Sequence, residues 1–224
     1  MTSDEEKQAR LQQSTEDYLQ GLPQPAQKLL RAARRLLIRK GFDALRWESI
    51  AREAGVQRSL IRYYFGDKAG LLRALLRVLS QDALLWLVAQ AEALPQGPAR
   101  IHAHVAGTIK LTQNPQFLSF LDIVPQALRK EELRPPIAEL YRWAREMNIR
   151  CFGVTVTQDN VKDLEALASL FVAAADGLAI QAALDPDGYD PAPAFEKLEQ
   201  AARLVLEAQN AGSHRDTPET GSAP

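Results

Sequence analysis

Between Gln57 and Lys68 the chain reads QRSLIRYYFGDK, a run whose polar side chains suit contact with a polyanion. It supplies two guanidinium groups (Arg58 and Arg62), an amide (Gln57), a hydroxyl (Ser59), phenols (Tyr63 and Tyr64) and an ammonium group (Lys68). Such groups hydrogen-bond phosphate oxygens and base edges, so the chemistry on offer is recognition of nucleic acid. Leu60 has two readings, a contact to a thymine methyl group or packing within its own domain.

These side chains need a helix to present them, and the preceding residues supply its support. From Glu48 the sequence ESIAREAGV puts a small residue, Ala51, where two short helices would approach each other. Four residues later Gly55 offers the positive φ that a tight reversal requires. Ile50, Ala54, Val56 and Ile61 then fall where the helices face each other, which leaves Gln57, Arg58, Ser59, Leu60, Arg62 and Tyr63 on the remaining surface. This is the spacing of a helix-turn-helix.

No catalytic constellation competes with it. His102 and His104 are two apart, which on a helix separates them by roughly 200° and prevents joint metal ligation. His214 falls in a polar tail, and Cys151 has no histidine near it in sequence. Neither a phosphate-binding glycine loop nor a Gly-x-Ser-x-Gly elbow is present. No enzyme activity, cofactor or metal is expected.

The formal net charge of −1 conceals a strong division along the chain. Residues 28–80 hold 13 Lys and Arg against 4 Asp and Glu, a net +9, whereas residues 81–224 hold 12 against 19, a net −7. A positive head on a negative body orients the molecule towards DNA, with affinity that weakens steeply as salt rises. A single cysteine excludes an internal disulfide framework and suits a reducing cytoplasm. No apolar run approaches the ~20 residues of a membrane span, so no membrane partner is expected.

Hydrophobic periodicity and Gly/Pro punctuation predict an all-α chain of about nine helices. They fall at 26–40, 47–54, 58–64, 69–93, 98–112, 116–130, 135–150, 160–183 and 193–209. Residues 1–25 read as a flexible arm, 26–73 as a three-helix DNA-binding domain, 74–210 as a helical body and 211–224 as a disordered tail. Gly153–Thr157 has strand-like composition but no partner strand, so no strand is expected there. The last two helices carry broad apolar surfaces that include Leu164, Phe171, Ala175, Leu178, Ala179 and Ala182 on one, and Leu198, Ala202 and Val205 on the other. A hairpin with so much apolar surface invites a second copy of itself, hence a homodimer.

From Gln27 to Leu76 the chain resembles the TetR (tetracycline-repressor) family of bacterial regulators. The likeness is carried by Arg39-Lys40-Gly41-Phe42, the helix-turn-helix and Tyr63-Tyr64-Phe65-Gly66-Asp67-Lys68. It implies a transcription factor, most often a repressor, that binds an operator in double-stranded DNA as a dimer and is released by a small molecule. Tyr63 and its neighbours would touch the DNA backbone and Lys68 would grip a phosphate. With Arg46 and Trp47 at the preceding helix start, the candidate DNA-contacting set is Arg46, Trp47, Gln57, Arg58, Ser59, Leu60, Arg62, Tyr63, Tyr64 and Lys68. The chain departs from the family pattern in having Arg46 for a capping Thr, Gln57 for a capping Ser, Arg62 for Tyr and Tyr64 for His.

Farther on, Ala174-Ala175-Asp176-Gly177-Leu178-Ala179 and Leu184-Asp185-Pro186-Asp187-Gly188-Tyr189-Asp190 look like the C-terminal domain of the betaine-biosynthesis-repressor branch. The family resemblance implies an effector pocket within the body. Candidate contacts are Trp86, His104, Thr108, Phe117, Phe120, Asp122, Trp143, Met147, Phe171 and Asp176, with Asn148 as a further polar neighbour. Aromatic faces suit an apolar or cationic effector, and Asp122 or Asp176 would neutralise a cation. The alternative is a protein of the same fold that binds DNA constitutively or acts through protein partners.

Overall fold

The computed structural model describes residues 14–213, with side chains through Glu207. Among them the regular elements are eleven α-helices and two short 3-10 turns. α1 (Thr15–Gln20) precedes α2 (Gln24–Lys40), a 3-10 turn (Phe42–Ala44), α3 (Trp47–Ala54) and α4 (Ser59–Phe65). The long α5 (Lys68–Glu92) then leads to α6 (Pro98–Thr112), α7 (Pro115–Leu121) and α8 (Val124–Arg129). A second 3-10 turn (Glu131–Leu133), α9 (Arg134–Phe152), α10 (Val161–Leu184) and α11 (Ala192–Ser213) complete the body. The fold is all-α, an N-terminal helix-turn-helix joined to a C-terminal helical body.

Where the helices differ from expectation, local chemistry explains it. Part of the expected N-terminal arm is α1, capped by the Ser14 side chain, which accepts the Asp17 N–H at 3.1 Å. Its Leu19 is buried, the Thr15 N–H donates to Asp82 Oδ1 at 2.7 Å, and the Arg77 guanidinium lies 4.0 Å from the Tyr18 ring centre. Residues 1–13 of the arm lie outside the described residues, and its last two residues, Gln24 and Pro25, begin α2. The expected helix 116–130 is two helices, because Pro125 has no N–H and its ring crowds the carbonyl of Leu121. α9 begins at Arg134, before Pro135 and Pro136, since proline is tolerated in a first helical turn. α11 runs to Ser213, past the expected tail boundary at Ala211; the remaining tail and His214 lie outside the described residues.

Two large cores hold the elements. One joins Leu29, Leu30 and Leu37 of α2 and Ile50 and Ile61 of the helix-turn-helix to Leu71, Leu72 and Leu75 of α5. It continues without a break into the body through Phe120, Ile123, Ala127, Leu133 and Ile137. The other joins α6, α10 and α11 through Ile101, Phe152, Leu164, Phe171 and Phe195. α5 crosses the expected domain boundary at 73/74 as an uninterrupted helix.

α10 corrects one expectation. It is long and apolar enough, with mean hydropathy 1.7, to meet the length and composition of a membrane span. Only 28 % of that apolar window is buried inside the protomer, so this helix carries apolar surface beyond what its own core uses.

Candidate DNA-binding face and ligand cavity

The recognition face is built by a sharp turn. Gly55 adopts φ 66° and ψ 36°, and the Val56 N–H donates to Ala51 O at 3.1 Å, closing the end of α3. A side chain at position 55 would carry the steric penalty of left-handed backbone, which glycine avoids. Ile50 and Ala51 of α3 and Ile61 of α4 are buried against α2 and α5. The opposite surface of α4 is therefore outermost, with Gln57, Arg58, Ser59, Arg62 and Tyr63 exposed and Tyr63 at 78 %. Arg46 is exposed beside them. Trp47, Leu60 and Tyr64 are half-buried and pack against the core, so Leu60 makes packing contacts and keeps part of its surface exposed.

Arg58 is already engaged within the head. Its Nη1 lies 3.0 Å from Glu48 Oε1, and its guanidinium sits 5.9 Å from the Trp47 ring centre. Among the described residues Arg62 has no ion-pair partner. Lys68, the first residue of α5, is half-buried with Nζ 4.8 Å from the Phe42 ring centre. Desolvation, and then the nearby Lys130, hold its ammonium pKa below the usual value, so an incoming anion meets a partly dehydrated cation.

The body encloses a cavity of about 80 Å³ between α5, α6, α7, α9 and α10. Thr108, Phe117, Phe120, Phe171 and Asp176 line it, as does Asn148. Much of the wall is aliphatic, from Leu76, Leu79, Leu84 and Leu87 of α5 and Leu111 of α6. Sequence reasoning missed Tyr141, whose hydroxyl donates to Asp176 Oδ2 at 2.6 Å. Burial raises the Asp176 pKa despite that hydrogen bond, and burial followed by the carboxylate raises that of Tyr141. The helical spacing of Leu140, Tyr141 and Ala144 on α9 was the available signal.

Five other candidates lie elsewhere. Trp86 points outward, 43 % exposed, with the Lys110 ammonium 5.9 Å from its ring centre. His104 is wholly buried behind the wall, stacked on Phe171 at 5.1 Å, with Nε2 2.9 Å from Asn148 Oδ1; burial lowers its pKa to about 4. Met147 packs in a small core with Leu87, Val88, Ala91 and Cys151. Burial pushes the Cys151 thiol up to about 12, which keeps it protonated and unreactive. Trp143 borders a different hollow, of about 200 Å³, between α5 and α9.

Asp122 belongs to the head rather than to the cavity. It follows α7, is exposed, and its Oδ2 accepts the Phe42 N–H at 2.5 Å. Gly41, at φ 74°, brings the chain so close that a Cβ there would lie 2.9 Å from the same oxygen. The contact spans eighty residues of sequence, and no periodicity reveals it.

The expected dimer surface needs a similar correction. Leu164, Phe171, Ala175, Ala179 and Ala202 are buried in the protomer's own core, while Leu178, Ala182 and Leu198 are half-buried. The exposed stripe of α10 is Ala166, Leu170, Ala173, Ile180 and Leu184, with Leu170 at 60 % and Leu184 at 80 %; on α11 it includes Leu204 at 68 % and Val205. α10 is apolar nearly all round, so sequence pattern could not tell its inner face from its outer one.

The geometry, a helix-turn-helix with a cationic outer helix set on a hollow helical body, is that of a DNA-binding regulator. Residues 29–75 match the model described as bacterial regulatory proteins of the tetR family. Residues 97–207 match the model described as BetI-type transcriptional repressor, C-terminal. The chain belongs to the TetR family of bacterial transcriptional regulators, with a BetI-type repressor C-terminal domain, and is not an enzyme. It is similar to the HTH-type transcriptional regulator BetI of Paraburkholderia phymatum, 27 % identical over 181 residues that cover 76 % of this chain and 87 % of that protein. Solved structures share the fold, and two serve as examples. A TetR-family regulator from Rhodococcus sp. has TM-score 0.64 at 20 % identity over 82 % of this chain and 99 % of that one. A regulator from Saccharomonospora viridis in complex with choline has TM-score 0.51 at 22 % identity over 81 % and 95 %.

Proposed function

We propose that this chain is a cytoplasmic repressor that binds a pseudo-palindromic operator as a homodimer and leaves it when a small apolar or cationic molecule fills the body cavity. The observation that carries this reading is the course of α5. Its first residue is Lys68, beside the recognition helix, and its Leu76, Leu79, Leu84 and Leu87 form cavity wall. A ligand that repositions this wall moves the head with it, provided that it prefers the state that cannot bind DNA. The choline complex of the Saccharomonospora viridis regulator offers support from a protein of the same fold.

Dimerisation is supported by the exposed apolar stripe of α10 and by Gly177 within it, where an added Cβ would meet open space. Packing inside the protomer gives that glycine no reason, whereas a partner helix crossing closely would. Two heads related by a two-fold axis would read half-sites about one helical turn, roughly 34 Å, or a little more apart. The test is to select operator DNA from a random pool, then to follow its release by fluorescence anisotropy as stabilising metabolites are added. Ligands that stabilise the protein and lower DNA affinity support the reading. If every stabilising ligand leaves DNA affinity unchanged, the protein binds DNA constitutively.

A further inference from the structure

The donors and acceptors on the cavity wall are unevenly engaged. The Ser80 hydroxyl donates to Leu76 O, the Thr108 hydroxyl to His104 O, and the Tyr141 hydroxyl to Asp176. Asn148 uses Nδ2 on Ala144 O and Oδ1 on His104. Each of the three hydroxyl protons is thus committed, while the hydroxyl oxygens keep lone pairs. Asp176 keeps a whole carboxylate oxygen, because among the described residues its only hydrogen bond is the one Tyr141 gives to Oδ2. No Lys, Arg or His lines the cavity to balance it. The amides that remain, on Asn114 and Gln116, stand together at the start of α7, a different element from the one that carries Asp176.

An interior of this kind can accept hydrogen bonds and lacks positive charge, so a complementary occupant brings both N–H donors and a cationic centre. From this inventory we infer that the effector is a protonated primary or secondary amine on an apolar body, anchored by Asp176 and seated among Phe117, Phe120 and Phe171. This deepens the effector reading above and rests on it. An alcohol of the same shape leaves the carboxylate without a counter-charge, and a carboxylic acid adds a second buried negative charge. A fully methylated ammonium keeps the Coulomb attraction but has no N–H to give, so it forgoes the charge-assisted hydrogen bond. Burial raises the Asp176 pKa above the ordinary carboxylate value, as expected of an anion without a counter-charge.

The experiment titrates the full-length protein, without DNA, with four probes that share one phenyl body: 2-phenylethylamine, 2-phenylethanol, 3-phenylpropanoate and its trimethylammonium analogue, phenethyltrimethylammonium. Calorimetry should find the amine bound about tenfold or more tightly than the alcohol and the carboxylate, and several-fold more tightly than the trimethylammonium probe. Asp176→Asn should bring the amine down to the level of the alcohol and leave the alcohol unchanged. Asp176→Ser provides the same comparison if the amide disturbs folding. Equal binding of amine and alcohol, equal binding of amine and trimethylammonium, an amine preference that survives both substitutions, or no binding of any probe overturns the inference. A separate DNA-release assay keeps the two readings apart: an amine that binds in this pattern without releasing DNA leaves the amine site standing and removes its role as effector.

Discussion

Arg58 and Arg62 project from the same short helix, yet their surroundings assign them different weights. Arg62 should lose about 1–3 kcal/mol of specific DNA binding on conversion to alanine, the range for a guanidinium that addresses a guanine edge or phosphate. Arg58→Ala should lose less, because Glu48 competes with DNA for that guanidinium at 3.0 Å. Glu48→Ala should accordingly tighten binding, and anisotropy titrations of the three variants at one salt concentration decide the order. His104 carries a prediction of a different kind. Its pKa is about 4 in the folded protein against an ordinary 6.5, so below pH 6.5 the unfolded chain takes up a proton that the native state refuses. Stability is therefore full above that pH and falls between 6.5 and about 4, by roughly 3 kcal/mol at the limit. Denaturant melts at several pH values should show this fall in the native chain. In His104→Phe that component should be absent, whatever the variant's stability at neutral pH.

At the level of the helices, α3 and α4 begin without side-chain caps, at Arg46 and Arg58. The Leu60 N–H reaches only the backbone carbonyl of Gln57, at 3.1 Å. Gln57→Ser should supply a side-chain acceptor and stabilise the head by about 0.5–1 kcal/mol, read as a rise in melting temperature. α7 is a second strut between cavity and head, since Phe117 and Phe120 are cavity wall and Asp122 holds the Phe42 N–H. Asp122→Ala should leave ligand affinity within about twofold and shrink the effect of ligand on DNA affinity, because the change removes the connection and not the site. The helix-turn-helix was legible in sequence because its determinants are local: Ala51, Gly55 and Ile61 lie within eleven residues and answer to one turn. The cavity was legible only in part. Phe117, Phe171 and Asp176 could be proposed as lining, but Trp86 and Trp143 take other faces of their helices, and helical period does not say which neighbour each face will meet. Asp122 was assigned to the wrong side of the molecule for the same reason, its true partner being a backbone N–H eighty residues away.

For the molecule as a whole, charge is divided between head and body. The head carries the excess of cations and the body the excess of anions, so DNA affinity should fall steeply with salt and Lys68→Ala should flatten that slope by about one unit. The exposed stripe lies on α10 and α11 of the body, and a glutamate at Leu170 or Leu184 should give monomers in sedimentation that retain helical content and bind DNA poorly. The same substitution at Leu164 should damage the fold, since that side chain is buried in its own protomer. The unbroken core that runs from Leu29 through Leu75 to Ile137 bears on cooperativity. The apolar partners of the head include Leu71, Leu72 and Leu75 of α5 and Phe120 of α7, so no plane separates a part that can melt while the other stays folded. Heating should then produce one transition in which the emission of Trp47, in the head, and the helical circular dichroism of the whole chain change together. A fragment ending at residue 73 should remain largely unfolded: the helix-turn-helix and the cavity share a single unit of folding, and a mutation that loosens the floor of the body also dissolves the exposed face of the recognition helix.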